Sequence, residues 1–255
     1  MTLVDTHCHL HFHDFDPDRE AVVARARAAG VEYFVNVGTD PGTNSEARAV
    51  AQRVKNMHYT VGLHPHSAHQ AREETFAMLE RQITSGTPVA IGEIGLDYFK
   101  SEGKPDVQKD VFRRMVEMAK KHSLPVIIHS RDAFDDTHSI LKELSPVRGV
   151  MHCFSYDTAA MKKMTELGFY ISFSCNITYK NAVTLLEAAK ETPLERIVFE
   201  TDSPYLSPQT KRGKRNEPAN VAELVVFLAE ARGIGADELA EKSTANAKQL
   251  FGFRS

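Results

Sequence analysis

Short apolar runs alternate with helix-patterned stretches along the whole chain, and this alternation constrains the fold more than any other feature. The runs are Leu3–His7, Val31–Val37, Met57–Leu63, Pro88–Glu93, Pro125–His129, Gly149–His152, Phe169–Phe173 and Arg196–Asp202. Most are nearly continuous in Val, Ile, Phe and Tyr, the pattern of strands buried on both faces of a parallel sheet. Between them, apolar residues recur at helical spacing, as in Ala47, Val50, Ala51 and Val54, in Ala182, Leu185, Leu186 and Ala189, and in Val221, Leu224, Val225 and Leu228. Eight such units in 255 residues, with no long linker, predict one (β/α)8 TIM-type barrel over residues 1–255. Asp237–Phe251 is expected to add a C-terminal helix. An open doubly wound sheet is the competing architecture, but no Gly-x-Gly-x-x-Gly follows the first run.

Composition narrows the function. Hydrophobic residues make up 42% and charged residues 25%, an ordinary globular balance that excludes disorder and fibrous folds. With 31 basic against 34 acidic residues, the net charge is −3. A protein that coats polyanions non-specifically is therefore excluded, although a local basic patch is not. Three cysteines, Cys8, Cys153 and Cys175, imply no disulfide framework and fit a reducing compartment. The first residues lack a basic and apolar leader pattern, and no run of 18 apolar residues occurs. A cytoplasmic protein with no membrane partner is expected, and nothing demands more than a monomer.

The reactive side chains fall at the ends of the runs. His7 and His9 end the first, His64 follows the third, and Glu93 ends the fourth. His129, His152 and Asp202 end the fifth, sixth and eighth. Strand C-termini of a barrel converge on one rim, so these residues are expected to meet there. The set His7, His9, Glu93, His129, His152 and Asp202 exceeds the needs of one tetrahedral ion and points to two divalent cations. His-x-His alone is weak, since chance gives about 0.6 such pairs with 12 His in this length. On a strand, however, a period of two turns both rings to one side. His11 and His13 continue the spacing but precede Asp14, Asp16 and Pro17, and are assigned to a loop. Glu200 shares a face with Asp202 and suits either a supporting or a structural role. Cys8 and Cys153 are expected to face the helices as packing residues.

Taken together, Val4-Asp5-Thr6-His7-Cys8-His9-Leu10, Gly62-Leu63-His64-Pro65-His66, Gly92-Glu93-Ile94-Gly95-Leu96-Asp97-Tyr98, His129-Ser130-Arg131-Asp132-Ala133, His152-Cys153-Phe154 and Glu200-Thr201-Asp202-Ser203-Pro204-Tyr205-Leu206 resemble the TatD family of metal-dependent deoxyribonucleases. The resemblance runs in motif order to about residue 250 and implies a dinuclear barrel hydrolase. It implies His7, His9 and Asp202 around one metal, His129 and His152 around the other, and Glu93 bridging, with no carbamylated lysine. It further implies that His64 contacts phosphate. Cys175 departs from the pattern, where Gly is expected, and bears on the shape of the pocket.

A divalent pair lowers the pKa of a shared water so that hydroxide exists near neutral pH. That hydroxide would attack a phosphodiester, with Glu93 and Asp202 as catalytic carboxylates and Asp202 taking the proton. Arg131 offers a planar fork for a phosphate, against the alternative of an ion pair with Asp132 or Asp135. Lys211, Arg212, Lys214 and Arg215 follow the eighth run on the rim side and are expected to bind substrate. The expected function is thus a nuclease hydrolysing DNA, with exonucleolysis as one mode and RNA or tRNA as further nucleic-acid partners. The competing enzyme is a hydrolase of an ester or amide carbonyl, such as a D-aminoacyl-tRNA. A non-catalytic barrel would require a vestigial site, yet every ligand position is filled. Imidazole suits Zn, whereas carboxylate and phosphate oxygens suit Mg or Mn.

Overall fold

The computed structural model describes residues 1–100 and 104–253. Strands and helices alternate as β1 (Leu3–Cys8), α1 (Arg19–Ala28), β2 (Val31–Asn36), α2 (Pro41–Ala51), β3 (Met57–Val61) and α3 (Glu73–Thr84). They continue as β4 (Ala90–Asp97), α4 (Pro105–His122), β5 (Val126–Arg131), α5 (Phe134–Glu143), β6 (Gly149–Met151) and α6 (Thr158–Glu166). The last units are β7 (Tyr170–Phe173), α7 (Val183–Glu191), β8 (Ile197–Phe199) and α8 (Val221–Arg232), followed by α9 (Ala236–Phe251). All neighbouring strands pair in parallel, in sequence order. The sheet curls until the segment after β8 meets β1: Cys8 and Ser203 form a bridge, and the Thr6 hydroxyl donates to the Phe199 carbonyl at 2.9 Å. This is the expected barrel, with α9 as the extra helix.

Side chains on the strands divide by alternation. Val4, Val35, Ala90, Ile127, Val150, Tyr170 and Val198 fill the interior, where they cluster with Leu250 and Phe251 of α9 and with Phe253. The C-terminal segment therefore plugs one end. Phe34, Ile91, Ile128, Ile171 and Ile197 face outward and pack under the helices. Besides a shift between Leu3 and Val4 at the start of β1, two irregularities break the period of two. The pairing of β1 with β2 slips between Asp5 and Cys8, and that of β4 with β5 slips between Ile91 and Ile94. Such bulges turn a side chain to the other face. Both lie beside candidate ligands.

Candidate metal centre

The slips decide where His7 and Glu93 point. Counting in twos from the interior residue Val4 would turn Thr6 and Cys8 inward and His7 out. Instead Cys8 packs in the outer layer, its thiol toward the Val35 carbonyl at 3.4 Å. His7 and His9 both turn into the mouth, with their Nε2 atoms 3.1 Å apart. Counting from Ala90 would likewise turn Gly92 inward and Glu93 out. Instead Ile94 faces the helices and Glu93 enters the mouth. Glu93 does not end its strand, as the sequence suggested. β4 continues to Asp97. Gly95 permits this course, because at φ 142° a Cβ there would lie 1.9 Å from the His129 carbonyl oxygen.

Glu93 stands at the centre of the cluster. Its Oε1 is 2.7 Å from His129 Nδ1 and 3.5 Å from both His64 Nε2 and His152 Nε2. Its Oε2 is 3.4 Å from His7 Nε2. Asp202 lies past the end of β8 in a left-handed conformation, φ 55°. Its own N–H donates to the His7 carbonyl at 2.9 Å, and its carbonyl accepts from the Tyr205 N–H at 2.9 Å. That turn aims Oδ1 to 3.5 Å from His9 Nε2 and 3.8 Å from His7 Nε2. The candidate ligand atoms fall into overlapping groups, each within 4.8 Å: His7, His9 and Asp202; His7, Glu93 and His152; and His64, Glu93 and His129.

All six sequence-derived ligand candidates therefore converge on one rim. His64 lies beside them, its ring grouping with Glu93 and His129. Cys153 requires correction. It was expected to face the helices, but its sulfur groups with His152 and Asp202 and lies 3.3 Å from Ser174 Oγ. The backbone turns left-handed at Cys153, φ 43°, after β6 has ended, so strand alternation no longer governs it. Cys175 does not shape the pocket, because its side chain is buried behind the rim toward the Asn220 carbonyl. His11 is in a loop, as expected, but buried against Asn36.

Two carboxylates support the rings from behind. Glu200 Oε1 lies 2.8 Å from His152 Nδ1, and its Oε2 accepts from Ser172 Oγ at 2.7 Å. Asp97, to which the sequence reading gave no role, lies 3.1 Å from His129 Nε2 and 3.0 Å from His66 Nε2. An apolar run extended through Gly92-Glu93-Ile94-Gly95-Leu96 would have pointed to it. Such partners fix the orientation of ligating imidazoles.

The donor set fits divalent cations. Three candidate ligand atoms, from His7, His9 and Asp202, lie within 4.8 Å of one another, with His7 and His9 both presenting Nε2. Burial works against charge on Glu93, but His152, His64 and the His129 hydrogen bond outweigh it and hold the carboxyl well below the usual range. Burial also opposes charge on His152, yet Glu200 and Glu93 raise it to about 10. The cluster thus concentrates negative charge that needs cations, whether protons or metals.

The cationic candidates separate. Arg131 is exposed and holds its guanidinium 4.1 Å from the centre of the Phe99 ring, and among the described residues it pairs with neither Asp132 nor Asp135. Arg215 is committed to Asp18 at 2.8 Å, to the Asp14 carbonyl and to the face of Phe15. Lys211 donates to Asn220 and lies 3.9 Å from Glu223. Arg212 covers the Tyr179 ring at 4.0 Å, and Lys214 is exposed.

The family model described as TatD related DNase matches residues 4–252. The chain belongs to the TatD-related DNase family. It is 40% identical over 98% of both chains to the Bacillus subtilis protein named uncharacterized metal-dependent hydrolase YabD. It is 34% identical to the 3'-5' ssDNA/RNA exonuclease TatD of Erwinia amylovora, over 98% of this chain and all of the relative. The crystal structure of YJJV, a TatD homolog from Escherichia coli K12, superposes with a TM-score of 0.93 at 30% identity, covering 99% and 98% of the two chains. This TatD-family member is a metal-dependent hydrolase. Among the described residues, no helix is long and apolar enough to cross a membrane.

Proposed function

We propose that this enzyme hydrolyses phosphodiester bonds in single-stranded DNA, working from an end. The observation that carries the reading is Glu93, whose two oxygens touch imidazoles from both halves of one buried cluster. His7, His9 and Asp202 would hold one divalent cation, His129 and His152 a second, and Glu93 would lie between them. Mixed nitrogen and oxygen donors accommodate Mg, Mn or Zn. Bound divalent cations supply positive charge that acidifies water and neutralises phosphate oxygens.

The chain's own groups do the rest. Asp202 accepts the proton of the attacking water on a carboxylate oxygen. Burial would raise its pKa, but the His9 hydrogen bond and nearby imidazoles keep it low, so it is ionised and ready. Glu200 and Asp97 keep His152 and His129 in place. His64 borders Glu93 and is available to a phosphate oxygen, with Arg131, Arg212 and Lys214 farther out for the flanking backbone. Lys211 and Arg215 contribute less, their charges being compensated. One chain supplies the entire set, which supports a monomer as the working unit, and three free thiols support a reducing, cytoplasmic setting.

The test is cleavage of an end-labelled single-stranded oligonucleotide with Mg or Mn, run beside D-aminoacyl-tRNA deacylation. Shortening from one end that chelator abolishes is expected. Deacylation without oligonucleotide cleavage would replace the nuclease reading.

A further inference from the structure

Beside the metal cluster, the loops after β6, β7 and β8 enclose an open cleft of about 330 Å³, lined by Ser155, Tyr156, Asn176, Tyr179, Asn181 and Leu206 among others. Its two aromatic rings are pinned by their own hydroxyls. Tyr179 donates to the Ser207 carbonyl at 3.0 Å, while the Tyr156 hydroxyl lies 2.8 Å from Ser130 Oγ and accepts from the Ala133 N–H at 3.3 Å. Arg212 lies over one face of the Tyr179 ring, 4.0 Å from its centre. Rigid aromatic faces with little ordering cost suit a flat ligand.

Polar groups complete the wall. Asn176 accepts from Ser174 Oγ at 2.9 Å, which leaves its amide N–H groups as donors. Asn181 is exposed, and no hydrogen bond is made by its side chain among the described residues. A chain of side-chain contacts links the cleft wall to the cluster. Asn176 touches Ser174, Ser174 touches Cys153, and the Cys153 sulfur groups with His152 and Asp202. Ser155 of the lining is two residues past Cys153 and Leu206 is four past Asp202, so the cleft neighbours the cluster on the same rim.

We propose that this cleft binds the terminal nucleobase of the strand, stacked on Tyr179 and Tyr156 and hydrogen-bonded by Asn176 and Asn181, while the adjoining phosphate lies at the metal centre. The inference rests on the nuclease reading for its natural ligand, but not for its test. Stacking of one base on an aromatic side chain corresponds to roughly 5- to 150-fold in affinity. The ring rather than the hydroxyl is what the base uses, so Tyr179→Phe keeps the effect and Tyr179→Ala removes it.

The experiment is calorimetric titration of the Mn-loaded protein with deoxyadenosine 5'-monophosphate and with 2-deoxyribose 5-phosphate, which lacks the base. Wild type and Tyr179→Phe are expected to bind the nucleotide at least 5-fold more tightly. Tyr179→Ala, with wild-type melting temperature and metal content, should bring the ratio close to one, and Asn181→Ala should reduce it. Equal binding of the two ligands by wild type, or a preference that survives Tyr179→Ala, would overturn the proposal. If Tyr179→Ala does not fold, Asn181→Ala decides, and an unchanged ratio there counts against the cleft. A base preference in a protein that cleaves no oligonucleotide would leave the cleft standing and reject the nuclease reading.

Discussion

Replacing Asp202 with Asn removes one negative charge and one proton acceptor while keeping the side chain's shape. Oδ1 lies 3.5 Å from His9 Nε2 and 3.8 Å from His7 Nε2, in a site where both rings are buried. A unit charge at that distance is worth roughly 5 kcal/mol at an effective dielectric constant of 20. If local rearrangement returns half of that, the remainder still amounts to nearly two decades of cation affinity, at roughly 1.4 kcal/mol per decade. Loss of the proton acceptor lowers turnover by roughly a further 10²–10⁴-fold. The two effects separate when bis-p-nitrophenyl phosphate hydrolysis is followed against Mn concentration. The half-saturating metal concentration should rise by nearly two decades, and turnover at saturating metal should stay depressed by at least 10²-fold. Near-wild-type turnover at saturating Mn would remove Asp202 from proton transfer. An unchanged metal titration would remove it from the ligand set.

Glu93→Gln should lower the metal content at both halves of the site together, because its oxygens touch His129, His64, His152 and His7. Elemental analysis showing two equivalents in the variant would refute its central position. Neutralising Arg212 and Lys214 together should flatten the salt dependence of oligonucleotide binding by about 1.4 units, at about 0.7 per phosphate on a single strand. Arg215→Ala, whose charge is already matched by Asp18, should lower the melting temperature without altering that slope. Asn216 is fully buried and donates to the Thr201 and Tyr205 carbonyls at 2.9 and 2.6 Å, while accepting from the Glu217 N–H and Asn220. Asn216→Ala strands these groups and should cost about 3 kcal/mol, a fall of about 6–12 °C in melting temperature. A fall of only a degree would show that water replaces the amide.

The architecture was legible because a barrel of this kind is a sum of local patterns. Each strand buried on both faces is a short apolar run, and each covering helix carries one apolar face. Counting the units gives the fold, and barrel closure brings the run ends to one rim. His129 and His152 could be placed by alternation from Ile127 and Val150, since nothing interrupts the count in β5 or on the direct continuation of β6, whereas Asp202 is aimed by the left-handed turn after β8. The rim cations were legible only as a cluster. Whether a given Lys or Arg is free depends on partners distant in sequence, such as Asp18 for Arg215 and Tyr179 for Arg212.

The sequence alone determined the alternating elements, the barrel and the chemical kinds of side chain at its rim. The tertiary structure decided which way the decisive side chains turn. Strict alternation would have pointed His7 and Glu93 away from the mouth, and a one-residue slip in the pairing of β1 with β2 and of β4 with β5 points them in. A slip is a property of two paired strands and the crowding between them, seen at Gly95 against the His129 carbonyl. It leaves no periodicity of its own in either strand's sequence. Cys153 escaped because its direction was set by where β6 stops pairing, which only the folded sheet fixes, whereas Asp97 was missed because its run was ended at Glu93 although β4 continues to Asp97.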